Sequence, residues 1–426
     1  MTNEEFIILL LDNILLYMVI FIGVLSLMYI ILRKKIHSII DPIFLSFVFA
    51  SFANSVPIFL YVLNQISYEK IQFFVISETV FWIGFSLFAK NKIDMCDSTR
   101  KTMTFRDTYR FFLFSIYGIV ILQLLCYLIG GIPLFSESRF SSKQIPIVAL
   151  MERVMIFPKY VCWVFVYYLI LNKYIHYKKK IVAYITILIL ILFSALSGSK
   201  GFILSAINGF FIYQYIYIGK SPKIKWKYLL IVILSPLLVI PIYYRAENAG
   251  DSFMLLIYRF VAAGDVYWMG FGNDVIDHIN NTALWFERVF SFILGPLGLI
   301  SSNAKIPIGT LILNEINPGT VGLIEGPNSR LPIFSWVCFG YEGVIFSFLC
   351  GVLFAIIAYR KLCSIPHGII GVSLIGLMYM NAISIVTDII LCLSGLINIL
   401  FAIILVNIYS AVFCKGIGRI KIAKRN

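Results

Sequence analysis

Charge is scarce in this chain: 13% of its 426 residues are Asp, Glu, Lys or Arg, 60% are hydrophobic, and the mean hydropathy is +0.93. A soluble globule carries about 25% charged residues, so the deficit excludes that class. Histidine is scarcer still. His37, His176, His278 and His367 are far apart, whereas zinc needs three or four converging nitrogen or sulfur ligands, so neither a metal nor any other cofactor is expected. The eight cysteines form no CxxC pair, and all but Cys338 fall in apolar runs or basic connections, so no disulfide framework is expected. No Walker A glycine loop is present, which argues against ATP as the energy source. A secretory signal is not expected, because Glu4 and Glu5 precede the first apolar run and cations follow it. With no solenoid repeat and no low-complexity linker, residues 1–426 are expected to form a single membrane domain.

What the chain has instead is long apolar runs. About 20 apolar residues cross the ~30 Å hydrocarbon core, because a spanning segment must satisfy its own backbone hydrogen bonds. Eleven spans are predicted, near 13–32, 42–63, 71–89, 111–130, 156–174, 181–197, 201–218, 228–244, 336–359, 367–386 and 389–412. The expected class is an all-α polytopic membrane protein. If the N-terminus lies outside and the C-terminus inside, alternate connections collect 24 of the 35 cations but only Asp41, Asp94, Asp97 and Asp107 of the 21 acids. That bias is the positive-inside rule. The formal charge of +14 is therefore explained by insertion and the anionic inner leaflet, and nucleic-acid binding is a poor reading.

On the outer side the connections are unequal. Residues 131–155 form a medium loop, and 245–335 a large one that holds Arg245, Arg259, Arg288, Lys305 and Arg330. Loops beyond ~12–15 residues in a compact protein are commonly functional. Its apolar pieces, 252–263 and 283–300, are expected to lie as short interfacial helices, since Glu287, Arg288, Gly295 and Pro296 interrupt the second. The alternative is a further spanning hairpin. The first outer connection offers only Glu69, so the carboxylate pair of a metal-dependent transferase is missing.

Three features carry chemistry. Arg139, Arg153, Arg245, Arg259, Arg288 and Arg330 lie on the expected outer face, and guanidinium forks match phosphate oxygens bidentately; the alternative is pairing with the outer acids for folding. The turn SGSKG, Ser197 to Gly201, places Lys200 before a helix start, where free amides attract anions, or it is only a tight hairpin. The stretch from Glu325 to Tyr341 mixes Asn328, Ser329 and Arg330 with aromatic rings. That mixture suits sugar binding, or an interfacial aromatic belt.

GGIPLF at 130–135 followed by Arg139, the SGSKG turn, and GPNSR…FGYEG together resemble Wzy-type polymerases of O-antigen and capsule repeat units. So does the plan of many helices with one large outer loop, a GT-C-like arrangement. Those polymerases carry arginine where Lys200 stands, so here the charge is kept and the fork is lost. The resemblance implies a metal-independent glycosyltransferase in the bacterial cytoplasmic membrane that polymerises undecaprenyl-pyrophosphate-linked units. Its implied partners are that donor and acceptor, membrane lipids and a chain-length regulator.

On that basis Arg245, Arg259 and Arg330 are expected to hold the donor pyrophosphate, with Arg139 and Lys200 assisting and Asn328 and Tyr341 contacting glycan. The base is sought among His278, Asp265, Glu325, Asp274 and Asp277, with His278 preferred because its ordinary pKa lies near ~6.5. An O-antigen ligase shares these features. A lipid-linked oligosaccharide flippase is the alternative of another class.

Overall fold

The computed structural model describes residues 1–89, 103–136, 145–197, 202–222, 260–279, 283–295, 298–320, 326–360 and 368–413. Helix makes up 84% of the described chain, and no strand occurs among the described residues. Nine helices there are long and apolar enough to cross a membrane, the architecture of a multi-pass membrane protein.

The first half is α1 (Asn3–Asp12), α2 (Ile14–Leu32), α3 (Pro42–Val62), α4 (Tyr68–Phe88), α5 (Phe105–Gly130), α6 (Pro146–Leu171), α7 (Tyr177–Leu196) and α8 (Phe202–Phe211). Local chemistry sets several starts. Asp41 accepts the Ile43 N–H at 2.9 Å ahead of Pro42, and Ser67 accepts that of Lys70, each satisfying a free amide of the first turn. The expected span 201–218 forms α8 and a wider π-type turn, Ile212–Tyr217. The expected span 228–244 lies outside the described residues.

Helix α6 begins ten residues before its expected start, so the medium loop is shorter than 131–155. Pro146 supplies a preset first-turn φ, and Ile147 to Met151 continue the apolar run. Glu152 and Arg153 thus belong to a helix and are half-buried.

Short helices follow: α9 (Asp265–Phe271), α10 (Val275–Ile279), α11 (Trp285–Val289), α12 (Ser291–Leu294), α13 (Ser302–Lys305) and α14 (Ile308–Ile316). They cap one end of the bundle. None is long enough to span on its own; of the apolar pieces expected there, 252–259 and 296–297 lie outside the described residues. The amphipathic α1 docks on this cap, its Phe6 stacked on Trp268 at 3.9 Å while Trp268 Nε1 donates to Asn3. Gly264 rests on Ala53 of α3. Since α3 continues nine residues past that contact, it rises ~13 Å above it at 1.5 Å per residue. The cap is sunk into the bundle.

The apolar run from Leu331 to Ala358 is not one straight helix. α15 (Leu331–Phe339) ends at Gly340 with φ +57°, and α16 (Gly343–Ala355) returns along it. Ser335 Oγ meets Ser347 Oγ at 3.0 Å although twelve residues separate them, a rise of ~18 Å in a continuous helix. α15 is therefore a short buried helix folded back against α16. α16 lies against α4 through glycines, since a methyl on Gly351 would strike the Phe81 carbonyl and one on Gly84 that of Phe348. Ser77 and Ser347 share a hydrogen bond of 2.7 Å beside them. Small residues with hydroxyl partners are how helices associate in lipid. Gly351→Leu is expected to destabilise the fold by about 3 kcal/mol through overpacking, measured as a lowered unfolding midpoint of the purified protein in detergent.

The last two crossing helices are α17 (Ile369–Ile383) and α18 (Ile389–Phe413), joined by residues 384–388 on the cap side.

Candidate functional site

Residues 326–330 are irregular backbone between the cap and α15. Arg330 has φ +43°, a conformation that costs a side-chain-bearing residue of order 1 kcal/mol or more and persists only when its surroundings enforce it. Three hydrogen bonds enforce it. The Arg330 amide donates to the Thr387 carbonyl at 3.2 Å, Nε to the Ala263 carbonyl at 2.9 Å and Nη1 to the Val386 carbonyl at 3.1 Å. One buried side chain thus ties the cap, the start of α15 and the α17–α18 turn together.

Asp388 caps α18 in that same turn. Its Oδ1 accepts the Ile390 N–H at 2.8 Å and its Oδ2 the Ser329 N–H at 3.4 Å. Burial pushes its carboxyl above the ordinary carboxylate range, against the lowering effect of those two amides.

On the opposite wall, Glu287 accepts both the backbone N–H and the hydroxyl of Ser301 at 3.0 Å each. The Ser301 amide holds the Glu287 carboxyl below its usual range. That tie closes the turn carrying Arg288, which is 3% exposed, and Lys305, which is exposed. From α6, Arg153 reaches the Ser394 carbonyl of α18 at 3.5 Å.

Between these elements lies a cavity of about 470 Å³, within the range of small-molecule sites. Arg153, Arg288 and Lys305 line it together with Asp388, Ser291, Ser329 and Ser394. Its apolar lining includes Phe292, Phe334, Ile390 and Leu391.

Two further polar clusters sit nearby. Glu78 in α4 accepts Asn54 Nδ2 and Trp82 Nε1 at 3.0 Å each, and Arg330 is near enough to attract it. The buried Lys70 ammonium binds Asp277, approaches Asp274 at 3.8 Å and stands 4.7 Å from the Trp336 ring centre; Trp336 donates to Asp277 at 2.8 Å. This second cluster pins the cap to α4, and it engages both Asp274 and Asp277.

Of the site residues predicted from sequence, Arg139, Lys200, Arg245, Arg259 and Glu325 lie outside the described residues. Arg330 is central but its guanidinium faces two carbonyls and does not line the cavity. Asn328 is exposed next to Ser329 on the rim. Tyr341 is exposed at the α15–α16 turn, 5.1 Å from Trp336. His278 faces Glu315 at 3.6 Å on the cap surface, and Asp265 starts α9 with its carboxylate on the Val266 amide. Neither lines the cavity. Asp388 carried no sequence signal beyond its place between two spans, and Lys70 none beyond its position at a helix start. No group of three His, Cys, Asp or Glu side chains suited to a metal occurs among the described residues. Comparison with family models, curated proteins and solved structures found no match.

Proposed function

We propose that the protein is a glycosyltransferase that binds a lipid-diphosphate-linked oligosaccharide in this cavity and polymerises such units, in the manner of Wzy-type polymerases. The cap would face outward from the bacterial cytoplasmic membrane, with the N-terminus outside, the C-terminus inside and eleven spans in a GT-C-like arrangement.

The observation that carries this reading is the charge of the cavity wall among the described residues: Arg153, Arg288 and Lys305 with the one carboxylate Asp388. Two net positive charges match the two negative charges of a diphosphate diester, whereas a monophosphate diester would leave one cation uncompensated. Charge that develops on the departing diphosphate would be stabilised by the same cations. The apolar wall of Phe292, Ile390 and Leu391 offers a polyprenyl chain a path into the bilayer.

The test uses purified protein in nanodiscs with a synthetic lipid-diphosphate-linked repeat unit. Polymer should form without added metal, and Arg288→Ala or Arg153→Ala should each lower donor affinity about tenfold or more, the worth of a charged hydrogen bond. Affinity unchanged in both variants would reject the reading.

A ligase would rely on His278, which sits away from the cavity, so nothing favours that alternative. Transport has one observation in its favour: Lys159, mid-way along α6, donates to Gln123 of α5 at 3.2 Å, and ionisable groups inside spans accompany carriers. Product formation in detergent, with no sealed compartment, separates transfer from transport.

A further inference from the structure

We propose that Asp388 is a catalytic residue of this site, accepting the proton of the acceptor hydroxyl as the new glycosidic bond forms. The inference rests on the reading of the cavity as a donor diphosphate site.

Asp388 is the one carboxylate in the cavity wall among the described residues. The charged groups that face it are Arg153 from α6, Arg288 from α11 and Lys305 from α13; the remaining polar neighbours, Ser329 and Ser394, are uncharged. Both carboxylate oxygens are fixed by backbone amides, one from α18 and one from the segment before α15. The Ser329 hydroxyl and the Leu391 amide also act on this carboxylate, so an acceptor hydroxyl would take the place of the Ser329 hydroxyl, the one rotatable donor among them. A base held by two elements cannot swing onto the neighbouring cations, and catalysis depends on such fixed geometry. Its burial increases its proton affinity relative to a surface carboxylate, which brings a general base closer to working pH.

In the step, the acceptor oxygen attacks the anomeric carbon, and its proton passes to an Asp388 oxygen. The bond from that carbon to the diphosphate oxygen breaks, and its electron pair stays on the diphosphate, held by Arg153, Arg288 and Lys305. The protonated Asp388 then releases its proton to solvent, and no oxidant or metal enters the balance. Of the bases suggested by sequence, His278, Asp265, Asp274 and Asp277 do not line the cavity, and Glu325 lies outside the described residues.

Because Asp388 also caps α18, the test separates the two roles. Asn and Ser are good N-caps, so Asp388→Asn and Asp388→Ser keep the helix start while removing the base. In nanodiscs with the lipid-diphosphate-linked repeat unit, both variants should bind donor within about threefold of wild type, while single-turnover transfer falls ~10²–10⁴-fold, the usual contribution of general base catalysis. The acid limb of the wild-type pH profile should vanish from the residual activity. Transfer within about threefold of wild type in the Asn variant would overturn the proposal. So would a parallel fall of binding and transfer in both variants, which would mark a purely structural cap. Wild-type protein that binds no donor would overturn the reading of the cavity itself, and this proposal with it.

Discussion

Arg330→Ala is expected to free the cap from the bundle without unfolding the crossing helices. The substitution removes the donors to the Ala263 and Val386 carbonyls, and alanine at φ +43° keeps the backbone strain that the side chain offset. Leaving two half-buried carbonyls without partners weakens cap docking by about 3 kcal/mol. That is roughly a 160-fold rise in the population of locally open states. Hydrogen exchange followed by mass spectrometry should show this gain over residues 260–279 and 331–339, with α5 and α6 unchanged. Arg330→Lys should behave nearly as badly, since one ammonium cannot form the planar fork that two separate carbonyls require. Protection equal to wild type in both variants would contradict the role assigned to Arg330. Donor binding should fall with the cap, because Ser329 and Asp388 are positioned through the same turn.

The second large effect concerns Lys70, whose side chain is 3% exposed and depends on Asp277. Asp277→Ala leaves a buried cation with only the more distant Asp274, so the fold should lose about 3 kcal/mol or more. Lys70→Met should cost less than that, because methionine fills the same space without a charge to compensate. The double variant Lys70→Met, Asp277→Ala should recover most of the loss, and the difference measures the coupling between them. Equal and additive losses, read from unfolding midpoints in detergent, would mean that the pair does not hold the cap on α4.

These two ties also show what a sequence does and does not reveal. Nine of the predicted spans match described helices long and apolar enough to cross a membrane, and a tenth, 201–218, forms the shorter α8 and its π-type turn, because a bilayer imposes one length and one composition on every crossing segment. The short helices of the cap follow from the same rule, since Glu287, Arg288, Gly295 and Pro296 interrupt the run at 283–300. Hydropathy alone could not reveal the reversal at Gly340, because LPIFSWVCF reads as the start of a span and only the positive φ of Gly340 turns the chain back. The early start of α6 was hidden for a related reason: Glu152 and Arg153 look like loop charges until neighbours from α18 and the cap are packed against them.

Of the arginines singled out in the sequence, Arg153 and Arg288 line the cavity and Arg330 does not. Arginines facing a phosphate were expected, yet which cations converge depends on contacts between residues more than a hundred positions apart, as with Arg153 and Arg288. Arg330 stood out beside Asn328 in sequence, but its role follows from a backbone conformation that no residue pattern announces. Asp388 looked like an ordinary turn residue. Its meaning comes from the cavity it borders and from the Ser329 amide, which arrives from 59 residues earlier.

The most direct measurement is a competition between lipids of equal chain length for the purified full-length protein in nanodiscs, read by native mass spectrometry. A polyprenyl-diphosphate-linked sugar should displace the same sugar linked through a polyprenyl monophosphate with at least a tenfold preference, and Arg288→Ala should erase most of that preference. Equal affinity for the two lipids, unaffected by Arg288→Ala, would contradict the claim that this cavity holds a diphosphate.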